Sequence, residues 1–258
     1  MGMDFHNDKN RTAYSTRKAN KSWTDTIDSL LQINTISKAV DIGCGGGIYA
    51  KALSDMGVKS VTGVDFSSAM LEGAKENCKE HRNISFHNGT ALETGLKSEK
   101  YDLVLERALI HHISDLHQCF TEAYRLLREN GYIVVQDRTP EDCMLQGDQT
   151  HIRGYFFELF PRLLTKETAR RYTSEQVKET LLQVGFTKVE EVKLWETRQI
   201  YETKEQLLQD LRARTGRSIL HELDNHELNL LIKYINKALT NDQNIIEKDR
   251  WTIWKAGK

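Results

Sequence analysis

Residues 39–47 read Ala-Val-Asp-Ile-Gly-Cys-Gly-Gly-Gly, and the stretch Ile48 to Met56 after them has helix-forming character. A short apolar run closing on Asp41, a loop with glycines at 43, 45, 46 and 47, and then a helix predict a strand, a turn and a helix N-terminus. Such a turn lets a ligand touch bare backbone, because glycine lacks a Cβ and accepts positive φ. The helix behind it aims N–H groups at whatever binds. The dinucleotide fingerprint G-x-G-x-x-G requires a third glycine at position 48, where Ile48 stands. Asp41, two positions ahead of Gly43, repels a pyrophosphate and attracts a positive amino group. The pattern therefore favours a nucleoside carrying an ammonium group over NAD.

Working outward, residues 60–65, Ser-Val-Thr-Gly-Val-Asp, form a second short apolar strand that ends in an acid. Asp65 lies 18 positions past Gly47, about where an α/β nucleotide site places the carboxylate that accepts ribose hydroxyls. Phe66 offers an aromatic face to an adenine. Taken singly, a glycine turn can be a plain strand–helix connection and a strand-end aspartate a helix cap. In this order and spacing the two together favour a nucleoside site.

The bulk properties narrow the class. A chain of 258 residues can bury a sizeable core. A net charge of −1 gives no basic field for docking on nucleic acid. Cys44, Cys78, Cys119 and Cys143 show no C-x-x-C pairing and no zinc spacing, which is the usage of reduced thiols. Met1 to Lys21 is polar, and no run approaches the roughly 20 apolar residues of a membrane span. These features predict a soluble, cytoplasmic protein with no membrane partner.

Residues 22–33 have helical periodicity through Trp23, Ile27, Leu30 and Leu31. Strands are expected at about 38–42, 60–65, 84–87, 101–105 and 131–137. The helix before the last of these shows Leu116, Phe120, Ala123 and Leu127 on one face, with Asn130-Gly131 as its stop. Alternating strands and helices imply an α/β, doubly wound, parallel sheet. Ligands in such sheets bind beyond the carboxyl ends of the strands, which puts Gly43–Gly47, Asp65, Glu106 and Arg138 along one edge. The rhythm breaks over 139–173, which holds both prolines, the aromatic knot Tyr155-Phe156-Phe157-Glu158-Leu159-Phe160, and His151, Arg153, Arg162, Lys166, Arg170 and Arg171. Two readings fit that insert: a substrate lid, or a packed helical excursion with a solvated basic face. Capping-box spacing at Thr173/Gln176, Thr203/Gln206 and Asp224/Glu227 opens three further helices. A strand is expected near Thr187–Trp195, and another at Arg250–Ala256.

Four stretches carry a resemblance: Val40-Asp41-Ile42-Gly43-Cys44-Gly45-Gly46-Gly47, Val61 to Ser67, Tyr101-Asp102-Leu103-Val104-Leu105 with His111-His112 after it, and Leu126 to Val135. In these the chain resembles a class I S-adenosylmethionine-dependent methyltransferase of the small-molecule, type 11-like group, strongly over about 35–138 and weakly over 174–195. The resemblance implies a mostly parallel seven-stranded sheet, a Rossmann-like methyltransferase fold with helical cap insertions. It implies a cofactor-binding half with N-terminal helices (1–138), a cap or substrate insert (139–173) and a C-terminal half (174–258), all in one structural domain. The final strand is expected to be antiparallel, with helices of 203–240 inserted ahead of it.

The implied cofactor is S-adenosyl-L-methionine, leaving as S-adenosyl-L-homocysteine. Its expected partners are Asp41 for the ammonium, Gly43, Cys44 and Gly45 for the methionine portion, Asp65 for the ribose, and Phe66 and Met70 around the adenine. Tyr14 and Arg17 belong to the N-terminal segment that closes over the cofactor carboxylate in relatives. Thr90 and Ala91 stand where many relatives reach the adenine amino group with an aspartate. Glu106 and Arg107, counted with the cofactor-binding residues, stand where small neutral residues are usual in relatives, and read as charges that shape the acceptor pocket or as an internal ion pair.

Methyl transfer from a sulfonium is an in-line displacement, so positioning supplies much of the rate and a base is needed only when the acceptor must lose a proton. His112, with His111, is the acid–base candidate; the alternative is a structural histidine bonding a loop carbonyl. His221-Glu222 with His226 misses H-E-x-x-H by one place, so no metal is expected. Arg138, His151, Arg153 and Tyr155 suggest an acceptor pairing an anion, carboxylate- or quinone-like, with an apolar body. The leading function is methylation of a small-molecule O, N or C nucleophile by a monomer or homodimer. The alternatives are an RNA methyltransferase, disfavoured by the charge, and a non-catalytic cofactor-binding sensor or scaffold.

Overall fold

The computed structural model describes residues 18–258. The chain forms two compact units. The first comprises residues 18–137, Tyr172–Leu194 and Thr252–Lys258; the second comprises Arg138–Arg171 and Trp195–Trp251.

Seven strands make one sheet: β1 (Lys38–Ile42), β2 (Ser60–Asp65), β3 (Ile84–Asn88), β4 (Tyr101–Arg107), β5 (Leu127–Asp137), β6 (Thr187–Thr203) and β7 (Gln243–Gly257). Their order is β3-β2-β1-β4-β5-β7-β6. The first five pair in parallel, and β5 pairs antiparallel with β7. The order reverses at β1, the position where sheets of this topology bind ligands. β1 and β4 are buried over nearly their whole length, as expected for apolar runs covered on both faces.

In the first unit, α1 (Lys21–Leu31) opens on Asn20, whose side chain accepts the Ser22 N–H, and buries Trp23, Ile27 and Leu31. With α2 (Ile48–Asp55) it covers one sheet face, a core that includes Leu53, Val61, Leu103, Leu105 and Val134. α3 (Ser68–Asn77) follows β2 from a Ser67 cap. α4 (Leu116–Leu126), capped by Asp115, joins the other core, around Val104, Phe120, Val135, Leu181 and Trp254.

The end of α4 differs from the sequence expectation. The helix stops at Leu126, and Leu127 is already extended and paired with Tyr101. The next pair is Leu103 with Tyr132, so Arg128 to Gly131 buckle out between two paired residues. Asn130, at φ 63, supplies that buckle and not the helix stop. A left-handed residue can serve either purpose, and strand pairing decides which.

The second unit contains α5 (Pro140–Cys143), α6 (Ile152–Leu159), α7 (Pro161–Thr168), α9 (Lys204–Arg212) and α10 (Asn225–Ala238), while α8 (Ser174–Val184) lies in the first. Thr139, Thr203 and Asp224 each close a capping box. The unit has its own core, including Phe156, Leu163, Leu208, Leu231 and Ile235. α9 and α10 lie in the chain between β6 and β7, as the sequence indicates, but both strands run well past their expected ends. Lys204 N–H donates to Asp242 O at 2.9 Å, and Lys204 Nζ lies 2.7 Å from Asp242 Oδ1. No helix among the described residues is long and apolar enough to cross a membrane.

Candidate functional site

The glycine loop takes the geometry its composition permits. Gly43, Gly45 and Gly47 have φ of 72, 49 and 77, conformations that disfavour any side chain. Gly43 and Cys44 both donate N–H to Val64 O, at 2.8 and 2.9 Å, which ties the loop to the end of β2. Asp65 completes the tie, its Oδ2 accepting from Gly45 N at 2.9 Å and its Oδ1 from Ser67 N at 2.9 Å. Burial pushes the Asp65 carboxyl up from its ordinary value, against the pull of these N–H donors. Phe66 is 55 % exposed beside it, and Met70 lies under Gly45. Thr90 accepts the Glu93 N–H in a local turn, and Ala91 is buried.

Asp41 is buried at the end of β1 and accepts the Ala50 backbone N–H in the first turn of α2. Gly47, the N-cap of that helix, has no side chain to offer, and the strand-end carboxylate takes over the capping. Burial raises the Asp41 carboxyl to about 7, with Ala50 N–H and the Arg107 guanidinium pulling it back.

Glu106 and Arg107 do not pair. They are consecutive on β4, so their side chains leave opposite faces of the sheet. The Arg107 guanidinium stacks on Tyr49 at 4.0 Å from the ring centroid. Glu106 is fully buried, with the Cys119 thiol 3.5 Å from each carboxyl oxygen, and burial raises it to about 8.

The two histidines are likewise not equivalent. A single 3-10 turn, Ile110–His112, carries both. His111 Nδ1 lies 2.8 Å from Asp137 Oδ2, with the His111 side chain 9 % exposed. His112 is exposed and packs its ring 4.0 Å from that of His111. Asp137, the buried last residue of β5, went unnoticed in the sequence. The signal was there: β1, β2 and β5 each carry an aspartate at or next to the carboxyl end of an apolar run.

The structure thus brings Asp41, Gly43, Cys44, Gly45, Asp65, Phe66, Met70, Thr90, Ala91, Glu106, Arg107, His111 and His112 into one unit. Tyr14 and Arg17 lie outside the described residues. Arg138, His151, Arg153 and Tyr155 belong to the other unit. There Arg138 Nη2 binds Asp249 Oδ2 at 2.7 Å and its guanidinium lies over Trp251. Arg153 stands near Asp249 and the fully buried Glu167, which also binds Arg171. His151 bonds Gln146 O and meets the Trp195 ring, and Tyr155 is buried against Gly147. Among the described residues no group of three or more His, Cys, Asp or Glu is placed to hold a metal.

A methyltransferase-domain family model matches residues 40–135, from within β1 to within β5. The chain is 31% identical over 118 residues to the uncharacterized methyltransferase YcgJ of Bacillus subtilis, covering 45% of this chain and 46% of that one. It is 30% identical over 98 residues to a ubiquinone biosynthesis O-methyltransferase of Pelagibacter ubique, covering 38% and 40%. A crystal structure of a putative methyltransferase from an antibiotic biosynthesis pathway of Anabaena variabilis superposes with a TM-score of 0.72 at 21% identity, covering 93% and 98%. Residues 40–135 are thus similar to methyltransferase domains, and the fold is that of solved methyltransferase structures. The sequence matches span less than half the length of these two curated relatives. The matched segment holds the glycine loop, Asp65 and both histidines but stops before Asp137.

Proposed function

We propose that the chain transfers the methyl group of S-adenosyl-L-methionine to an ionisable oxygen or nitrogen of a small molecule, with His111 as proton acceptor. The observation that carries the donor half is the clasp of Asp65 on the glycine loop through Gly45 N. It leaves a carboxylate and the exposed Phe66 ring side by side, a fit for a ribose and a purine. Glycine backbone without Cβ atoms suits the close approach of the amino-acid end. The bound donor supplies an activated methyl on a sulfonium and its own leaving group.

The chain's residues then position, desolvate and manage one proton. Asp137 holds His111 through Nδ1, which fixes the ring and supports an imidazolium formed when Nε2 takes the acceptor's proton. This reading prefers His111 to His112, because a buried carboxylate holds the His111 ring. The relatedness to a ubiquinone biosynthesis O-methyltransferase supports a hydroxyl acceptor on an apolar body.

The test is incubation with methyl-labelled S-adenosylmethionine and fractionated cell extract. Label in a small-molecule fraction, lost in His111→Ala, is the expected result. Label in RNA overturns the small-molecule reading, and binding without any transfer to any fraction overturns the enzyme.

A further inference from the structure

Gly45, Gly46 and Gly47 are three glycines in a row, the first and last at φ of 49 and 77. Backbone without any Cβ turns its peptide planes at little steric cost, so an ordered shape needs partners from elsewhere in the fold.

One helix supplies them. Met70, Ala74, Asn77 and Cys78 stand at i, i+4, i+7 and i+8, with Asn77 the last residue of α3 and Cys78 its C-cap, and so share one helical face. The glycine loop lies along that face. A Cβ at Gly45 would stand 3.3 Å from Met70 Cε, and one at Gly47 would stand 3.2 Å from Ala74 Cβ and 3.0 Å from Cys78 Sγ. Asn77 Nδ2 donates to Gly46 O at 3.0 Å, and the Cys78 thiol donates to Gly47 O at 3.5 Å. The entry to the helix is tied to the same loop through Asp65, which accepts from both Ser67 N and Gly45 N.

Asn77 is the directional member of this face. Met70 and Ala74 make apolar contact, and a thiol is a weak donor. Gly47 O also accepts the Lys51 N–H inside α2, at 2.9 Å. Only the NH2 of the Asn77 amide can donate to a carbonyl, so its orientation is settled by its partner. Holding Gly46 O fixes the planar peptide that joins Gly46 to Gly47. The N–H of that peptide then points the opposite way, onto Cys44 O at 2.9 Å.

We propose that Asn77 is a positioning residue for donor binding, which holds the triple-glycine turn in its binding shape from α3 without touching the donor. This rests on the donor-site reading above. It adds a dependence of donor affinity on a helix end outside the loop and the strand ends.

Calorimetry with S-adenosylhomocysteine on the full chain, beside thermal melts of the ligand-free protein, tests it. Asn77 is half-buried at a helix end and alanine is a good helix former, so Asn77→Ala keeps the fold. It should weaken binding about three- to tenfold, the size of one lost hydrogen bond. Asn77→Asp keeps the shape but sets an acceptor oxygen against Gly46 O, and should lose at least as much. Asn77→Gln carries the NH2 on a longer arm and should recover part of the loss. In methyl transfer to the labelled fraction, Asn77→Ala should raise KM for S-adenosylmethionine and leave kcat close to wild type, because bound donor restores the turn. Wild-type affinity in both Asn77→Ala and Asn77→Asp overturns the proposal, even where the melting temperature falls, since Asn77 is then structural alone. A fall in kcat with KM unchanged also overturns it. Failure of wild type to bind S-adenosylhomocysteine removes the donor site itself, and this inference with it.

Discussion

Asp137 Oδ2 receives His111 twice, from ring Nδ1 at 2.8 Å and from the backbone N–H at 3.3 Å. A single carboxylate oxygen thereby fixes both the ring and the turn that carries it. His111→Ala should lower label transfer by about 100-fold or more, the usual range for a positioned base, with S-adenosylhomocysteine affinity nearly unchanged. Asp137→Asn should reproduce much of that loss, and His112→Ala should cost less than tenfold. Single-turnover rates on the labelled fraction measure all three. A larger loss in His112→Ala than in His111→Ala would return the role to His112.

Asp65→Ala should weaken S-adenosylhomocysteine binding at least about tenfold, because a buried carboxylate that orders Gly45 and Ser67 N–H groups is removed. Asp65→Asn keeps one acceptor oxygen and should fold more stably than the alanine variant. Titration calorimetry beside urea unfolding separates the two effects. Wild-type affinity in Asp65→Ala would remove Asp65 from the site.

Gly47→Ala places a Cβ 3.0 Å from Cys78 Sγ and 3.2 Å from both Ala74 Cβ and Phe86 Cζ, at a φ of 77. Gly57, at φ 99, has nothing within 4 Å of such a Cβ. Both substitutions carry the left-handed penalty of about 1–2 kcal/mol, and only Gly47→Ala adds crowding, typically about 1–3 kcal/mol. Urea midpoints of the two variants should therefore differ clearly. Equal midpoints would mean that the packing around α2 yields.

Glu106 carries a pH dependence whose sign follows from its burial. Its carboxyl is raised from 4.5 to about 8, so between those values the folded chain holds a proton that the unfolded chain has released. Stability from this group is full below about pH 4.5 and is lost as the pH rises toward 8. Glu106→Gln stays neutral throughout. Its stability relative to wild type should rise from pH 5 to pH 8, by on the order of 1 kcal/mol or more. Denaturation curves at the two pH values measure the difference, and a constant difference would mean that Glu106 is already charged at pH 5.

Much of the sheet could be read from the chain because buried parallel strands write themselves as short apolar runs, and β1, β2 and β4 begin and end within a residue or two of expectation. Elements set by pairing with distant segments were harder. β6 and β7 continue for 17 and 15 residues through stretches whose polar content hides them, and Asn130 serves as a strand buckle because Tyr132 pairs with Leu103. The donor-side residues were legible as a set, since glycines and strand-end acids are local signals. Which histidine meets a carboxylate was not, because it depends on how one short turn presents two adjacent rings to Asp137. The basic insert hid its chemistry in the same way: Arg138, Arg153 and Arg171 find Asp249 and Glu167, of which Asp249 lies about a hundred positions beyond Arg138 and Arg153. Of the two readings of that insert, the solvated basic face describes outer residues such as Arg162 and Lys166.

The excursion from Lys204 to Asp242 leaves and returns through one clasp, the Lys204 N–H on Asp242 O with an ion pair beside it. Its two helices start from capping boxes written within their own sequence. A segment whose ends already touch and whose helices start themselves behaves as a cassette. Its independence ends at its apolar faces, which share one core with Phe156 and Leu163, so any replacement must bring its own equivalents of Leu208, Leu231 and Ile235.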